Sequence, residues 1–298
     1  GFLWTANART ADGIALELIG RGGYELGARA RQIRDRLAKL GDATIDDMLS
    51  LQLDDRALLE QRWRDLLLDV LARAASDEPT STYAALREVL SAWDGRAHPE
   101  SAGYRLVREF RRQTRDVVLG GIAFGCGTYE GPLELRRTYQ TEGPTWQLVT
   151  ERPAHLLPPG YRDWDALLLA MAERAIASCN GEALTECRWG AISRVEIRHP
   201  LAQAVPALAR WLTVQSGPLP GGQYTPRVQQ ERHGASERFA VSPGDEANGY
   251  FHMPGGQSGH PLSPYFSAGH DAWARGEPMP FLPGPAEHAL RLRPSDRG

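Results

Sequence analysis

Cysteine is scarce in this sequence. Three are present in 298 residues, Cys126, Cys179 and Cys187, and none belongs to a C-x-x-C pair, which excludes the common zinc and dithiol patterns. Cys179 and Cys187 flank Asn180-Gly181, so a turn there is compatible either with a disulfide or with two separate thiols. Charge of one sign is lacking too: 34 Lys+Arg face 37 Asp+Glu, and the cations are scattered, so no basic nucleic-acid surface is expected. No apolar run approaches the roughly 20 residues of a membrane helix, and no membrane partner is expected. An initiator Met and a signal peptide are absent as well. The chain opens on Gly1-Phe2-Leu3-Trp4, which looks like a strand already under way, so a piece of a longer chain is expected.

The familiar catalytic patterns are also missing. Gly20-Arg21-Gly22-Gly23 has no Lys-Ser/Thr and follows no convincing strand, so it is a turn and not a phosphate loop. His252, His260, His270 and His288, with Asp245, Glu246 and Asp271 nearby, never reach the spacing that puts two imidazoles on one face, which argues against a transition metal. Gly256-Gln257-Ser258-Gly259-His260 approaches a nucleophile elbow, but His260 stands where the second glycine belongs. Pro254 and Pro261 also oppose the strand and helix that should flank it. A turn-forming Ser258 is the plainer reading.

What is present is helical periodicity, then glycine and proline. Tyr24 to about Leu40 is Arg- and Ala-rich, with Leu26, Ile33 and Leu37 on one face, and Gly41 closes it. Thr44 and Asp47 form a capping-box pattern ahead of a long apolar-periodic run from Ile45 through Ala75. Ser81 opens a further helix that Asp94-Gly95 ends; Ala102 to Val118 and Trp164 to Ser178 are two more. Signals fade between Gly120 and Gly160. Arg194–Arg198 and Arg238–Ser242 alternate like half-buried strands. There is no internal repeat.

On the residues alone the reading stops at a mixed helix-and-strand chain. A resemblance extends it. Pro254-Gly255-Gly256-Gln257-Ser258-Gly259-His260-Pro261-Leu262-Ser263-Pro264, preceded by the strand Gly234–Val241 and followed by Trp273–Glu277, is similar to the signature near the C-terminus of the penicillin acylase (penicillin amidase) family of N-terminal-nucleophile hydrolases. Trp189-Gly190 with His199-Pro200-Leu201 resembles another marker of that family. Thr5-Ala6-Asn7 and the stretch from Asp46-Asp47-Met48 through Gln52-Leu53-Asp54 resemble the region after its nucleophile-bearing sheet.

The resemblance implies an α+β fold with an incomplete αββα core. Residues 1–23 would be strand and loop carrying an oxyanion asparagine, 24–180 mainly helical, and 181–298 strands and Pro/Gly-rich loops returning to the core, all one portion of a β subunit. It implies an amidohydrolase that frees an acyl side chain from an amine, either a β-lactam nucleus or an acyl-homoserine lactone. The nucleophile would be an N-terminal serine outside this sequence, with its own α-amine as base.

Asn7 matches the family's oxyanion asparagine. Arg29 matches its active-site arginine, with Arg31 as the fallback if the helix register slips. The plainer alternatives are a loop-capping asparagine and a solvated helix arginine. No cofactor is implied except a structural calcium, for which Glu17 is the nearest acidic residue although simple register lands on Leu18. The implied partners are the remaining N-terminal part of the β chain, the α chain of the same precursor and a small-molecule amide; the implied location is periplasmic or secreted. Two other readings remain: a serine hydrolase centred on Ser258, and a non-catalytic structural or binding domain.

Overall fold

Helix-forming periodicity translates into eight α-helices before the first strand among the described residues. The structure, a computed structural model, describes residues 1–20, 23–77, 81–125 and 140–294. Cys126 lies outside them. The helices are α1 (Gly13–Ile19), α2 (Ala28–Leu37), α3 (Ile45–Gln52), α4 (Leu58–Asp77), α5 (Ser81–Ala92) and α6 (Ala102–Gly125). Two more, α7 (Glu142–Glu151) and α8 (Trp164–Ala177), precede the strands. β1 (Arg194–Arg198) pairs antiparallel with β2 (Thr213–Pro218), and the short α9 (Leu201–Ala204) sits in their connection. β3 (Arg238–Ala240) pairs antiparallel with β4 (Tyr250–His252), and α10 (His270–Arg275) follows. Helix and sheet are therefore mixed, with most of the helical residues ahead of the first strand. Among the described residues the sheets are these two hairpins, and a four-layer αββα stack is not among them.

Several boundaries differ from expectation for identifiable reasons. Thr44 and Asp47 do form the reciprocal capping box that starts α3. The run read as one helix from Ile45 through Ala75 breaks between α3 and α4 because tertiary partners claim the backbone there. The Asp54 and Asp55 carbonyls accept from Arg227 and Ala97 at 2.9 Å, and the Ala57 N–H donates to Gly95 at 2.8 Å. α2 begins at Ala28, not Tyr24; the segment before it is instead laid against the N-terminal stretch, with the Glu25 N–H donating to the Asn7 carbonyl at 2.9 Å. Gly1-Phe2-Leu3-Trp4 is not a strand: it has no pairing partner among the described residues, and Leu3 is 99% exposed. Residues 1–23, expected as strand and loop, also carry α1, which buries only Leu16.

The core lies where α4, α5, α6 and α8 meet. Trp63, Leu67, Leu71, Leu90, Phe110 and Leu167 are fully buried there, each worth about 1.5–3 kcal/mol on removal from water. A charged cluster is enclosed beside them. Glu142, in the first turn of α7, accepts from Trp63 Nε1 at 2.7 Å, Arg111 Nη1 at 2.8 Å and Arg62 Nη2 at 2.5 Å. Burial pushes the Glu142 carboxyl up, but Arg111 and the Trp63 and Arg62 hydrogen bonds outweigh it and hold the carboxylate below its usual range. Glu60, 3.8 Å from Arg111 Nε, has no such set of donors, and burial raises it. This cluster anchors α7, which the sequence did not signal.

Cys179 and Cys187 form a disulfide with Cα atoms 5.4 Å apart. Arg105 fastens its flanks, donating to the Ser178 carbonyl at 3.0 Å and the Arg188 carbonyl at 3.2 Å. In the β3–β4 hairpin, His252 is buried and neither ring nitrogen has a hydrogen-bond partner among the described residues. Its ring stacks on Tyr250 at 5.9 Å. Burial, then the cations Arg238 and Arg227, lower it to about 4.

Two predictions follow from this packing. Loop-closure entropy for so short a loop gives about 2–3 kcal/mol, so a Cys179→Ala/Cys187→Ala variant should lose about that much unfolding free energy, read as a lower urea midpoint. An unchanged midpoint would show that the crosslink is energetically idle. The second concerns acid. Unfolded histidine titrates near ~6.5, so between that value and about 4 the unfolded chain binds a proton that folded His252 refuses. The contribution is complete above the unfolded value and is lost as pH falls through this window. Melting temperature should therefore drop more steeply over that window in the native chain than in His252→Gln; parallel curves would refute the assignment.

Candidate active site

Asn7 sits at a bend with φ of 59°, in the left-handed region where asparagine is among the better tolerated side chains. Its backbone is fixed from both directions. The Asn7 carbonyl takes the Glu25 N–H, and Ala8 forms a parallel bridge with Glu25. Gln140 Nε2 in turn donates to the Tyr24 carbonyl at 2.9 Å, holding the segment that leads into α2. Two residues past Gly27, in the first turn of α2, Arg29 Nη2 donates to Asn7 Oδ1 at 2.9 Å. Residues 22 apart in sequence are thus brought into direct contact.

That contact decides the orientation of the amide. A guanidinium has only donors, so the side-chain oxygen of Asn7 must face Arg29 and its NH2 group must face elsewhere. Asn7 is exposed, so this donor is presented at the surface. Arg29 is partly enclosed; burial lowers its pKa, while Glu25 and then Tyr224 favour the cation. The arrangement is a neutral N–H donor set by a fixed cation.

α2 itself is held from its other end. Gln32 Nε2 donates to the Arg56 carbonyl at 3.1 Å, and Arg36 reaches the Ser50 carbonyl at 2.9 Å and Asp54 at 3.4 Å. The helix face bearing Arg29 continues through Gln32, Arg36 and Lys39 into a cleft of about 1060 Å³. Arg36, Lys39, Arg56 and Arg96 meet Asp35, Asp46 and Asp54 along its walls, so the cleft has no strong overall sign.

The other sequence candidates are placed differently. Arg31 is exposed and pairs with Asp35 at 3.7 Å, away from Asn7. Glu17 lies on the exposed side of α1, and among the described residues no group of three or more His, Cys, Asp or Glu could hold a metal ion. Ser258 Oγ accepts from the His260 N–H at 3.1 Å, and His260 Nδ1 accepts from the Leu262 N–H at 3.1 Å, so both groups cap their own turn.

The tract around Ser258 has a structural logic. A Cβ on Gly256 would stand 1.7 Å from the Tyr265 carbonyl oxygen, so only glycine allows the tract to fold against itself. His270 Nδ1 donates to the Pro254 carbonyl at 2.6 Å, and Trp273 Nε1 donates to the Ala235 carbonyl at 3.0 Å. Arg238 donates to the Trp273 carbonyl at 2.9 Å and lies 5.2 Å from its ring, which closes the tract onto β3. Upstream, Trp189 Nε1 donates to the Gly221 carbonyl at 3.0 Å, and a Cβ on Gly190 would be 2.8 Å from Pro218 and 3.0 Å from Pro99. Both stretches hold distant segments together.

Glu25, Gln32 and Gln140 are braces that sequence reading missed. Each acts through or upon a backbone group, so neither periodicity nor motif could single it out.

Comparison with known proteins gives these contacts a setting. The chain is 24% identical over 270 residues to the penicillin acylase 2 proenzyme of Pseudomonas sp. (strain SE83), covering 85% of this chain and 33% of that protein. It thus spans about a third of the length of the curated relative it matches. The penicillin amidase family model matches from residue 1 to residue 289, through the Asn7–Arg29 contact and the folded C-terminal tract alike, and the chain belongs to the penicillin amidase family.

Proposed function

We propose that this chain supplies Asn7 and Arg29 to an amide-hydrolysing site whose N-terminal serine nucleophile lies on a segment outside this sequence. The observation that carries the reading is the 2.9 Å contact from Arg29 Nη2 to Asn7 Oδ1. It leaves the Asn7 N–H group oriented without further reorganisation, which is what stabilising a transient oxyanion requires. The serine, with its α-amine as base, attacks the amide carbonyl; negative charge develops on the carbonyl oxygen, and Asn7 donates to it. The amine then leaves and water releases the acyl group. Arg29 acts through Asn7 as a positioning residue, and its remaining donors are available to a carbonyl or carboxylate of the substrate.

The substrate is an acylated amine, a β-lactam nucleus or an acyl-homoserine lactone, and the working site forms with the rest of a processed precursor in the periplasm or outside the cell. The relative's description as a penicillin acylase proenzyme supports both processing and the β-lactam alternative. The αββα core would be completed by sheet strands that are not among the described residues.

Two measurements test the proposal. The isolated chain should show no turnover of a chromogenic acyl anilide; turnover abolished by Ser258→Ala would move the chemistry to Ser258. In the processed enzyme, Asn7→Ala should lower kcat by roughly 10²–10³ with KM little changed, because the donor meets charge present only in the transition state. Arg29→Leu should approach that loss and Arg29→Lys should fall between, since lysine keeps the charge and loses the planar fork. A KM effect with kcat intact in Asn7→Ala would remove the oxyanion role.

A further inference from the structure

Three basic side chains are enclosed together between the β3–β4 hairpin and α10. Arg238 is 5% exposed, Arg227 9% and His252 2%. The inner face of the hairpin carries Arg238 and Ala240 on one strand and Tyr250 and His252 on the other, and Arg238 lies directly opposite His252 in the ladder. Residues in that register have Cβ atoms about 4.5–5.5 Å apart. Arg227 joins them from the segment before β3. Its Nη2 donates to the Ala274 carbonyl at 2.8 Å, while Arg238 Nη1 donates to the Trp273 carbonyl at 2.9 Å. The two guanidiniums thus stand on successive carbonyls near the end of α10.

What these groups lack is a protein acceptor. Arg227 Nε, Arg238 Nε and both ring nitrogens of His252 are buried with no hydrogen-bond partner among the described residues. Neither guanidinium forms a salt bridge with a carboxylate there. Asp55 is the acid whose charge reaches Arg227, and it is already engaged by Arg96 at 2.6 Å and His98 at 3.4 Å. The Trp273 ring, 5.2 Å from Arg238, and the α10 carbonyls offer only partial negative charge. Like charges enclosed together repel. Burial and then Arg227 hold Arg238 down at about 10, and burial and then both arginines hold His252 down. Buried cations are ordinarily paired with an anion, and these two are not.

A ligand that answers all of these groups must accept hydrogen bonds, carry negative charge and be small. Water accepts and is small, but it leaves the two cations unneutralised. We propose that Arg227, Arg238 and His252 form an internal binding site for a small inorganic anion of the halide class. The ion would accept from the two guanidinium Nε–H groups and the imidazole N–H, tying the segment before β3 to β4 and α10. Burial here comes from the chain's own residues, so the site does not depend on what other segments of a longer protein cover. The inference is independent of the amide-hydrolysing reading, and its test needs no catalysis.

The experiment is thermal melting of the purified protein in sodium gluconate, with chloride replacing gluconate at constant ionic strength so that general screening stays fixed. The midpoint should rise with chloride and level off, by on the order of 3 °C. Chloride should also blunt the acid-induced loss assigned to His252, since a bound anion offsets the repulsion from Arg227 and Arg238. Arg227→Gln and Arg238→Gln should abolish the chloride response. Arg238 also closes the C-terminal tract, so His252→Phe keeps the test readable: it retains a ring against Tyr250, should melt no lower in gluconate, and should need about tenfold more chloride for half the response. In crystals grown with bromide, an anomalous scattering peak should lie among Arg227 Nε, Arg238 Nε and the His252 ring. Equal melting in gluconate and chloride, or a response that His252→Phe and the arginine variants keep, would overturn the proposal. So would a water, or a carboxylate from another segment, in place of the bromide peak.

Discussion

The pair of buried carboxylates at the junction of α3 and α4 is the constraint on which the rest of the described structure depends. The side chain of Asp54 is 2% exposed and that of Asp55 4%. Burial alone would push the Asp54 carboxyl up, but hydrogen bonds from Arg56 and Gln32 outweigh it and hold it at about 2. Arg36 approaches it from α2 at 3.4 Å. Asp55 faces Arg96 at 2.6 Å and His98 at 3.4 Å. A buried charge stripped of such partners costs several kcal/mol, on the order of 3–5. The junction therefore admits few arrangements of the segments that bring those partners.

Those segments reach the whole described fold. The backbone carbonyls of the two aspartates receive Arg227 and Ala97, and the Gly221 N–H reaches the Ala97 carbonyl at 2.8 Å. Next to the junction, Gln52 donates to the Phe239 carbonyl at 3.1 Å and to Tyr250 Oη at 2.8 Å, which ties α3 to the β3–β4 hairpin. On the other side, Gln32 and Arg36 tie α2. The position of Arg29, and through it the orientation of the Asn7 amide, is thus inherited from a charge cluster at the far end of the same helix. A rigid helix transmits that placement over about 1.5 Å per residue.

Polar burial is used in two ways here. Around Glu142 it fixes packing: three donors from α4 and α6 converge on one carboxylate and recruit α7. Around Asn7 the polar groups are left near the surface, where they can meet another molecule or another part of a longer protein. Ile14, Leu18 and Ile19 on α1 are apolar residues left outside the core.

The sequence by itself determined the helices whose apolar spacing or caps act locally: α3 with its Thr44–Asp47 box, α5, α6 and α8, and the alternating β1. It also carried the family resemblance and, with it, attention to Asn7 and Arg29. These are effects of neighbouring residues on one chain segment, or of motif residues spaced closely enough to be recognised. Only the tertiary structure decided where the long α3–α4 run breaks, because the competing hydrogen bonds come from residues 95–97 and 227. It alone placed α7, which depends on Arg62, Trp63 and Arg111, and it chose the disulfide over free thiols by bringing Cys179 and Cys187 to a 5.4 Å Cα separation. It withheld a strand from Gly1–Trp4, since a strand exists only with a partner. The Arg29–Asn7 bond belongs to the same class: residue types allow it, but the bracing of α2 by Gln32 and Arg36 and of Glu25 by Gln140 brings the two groups within 2.9 Å.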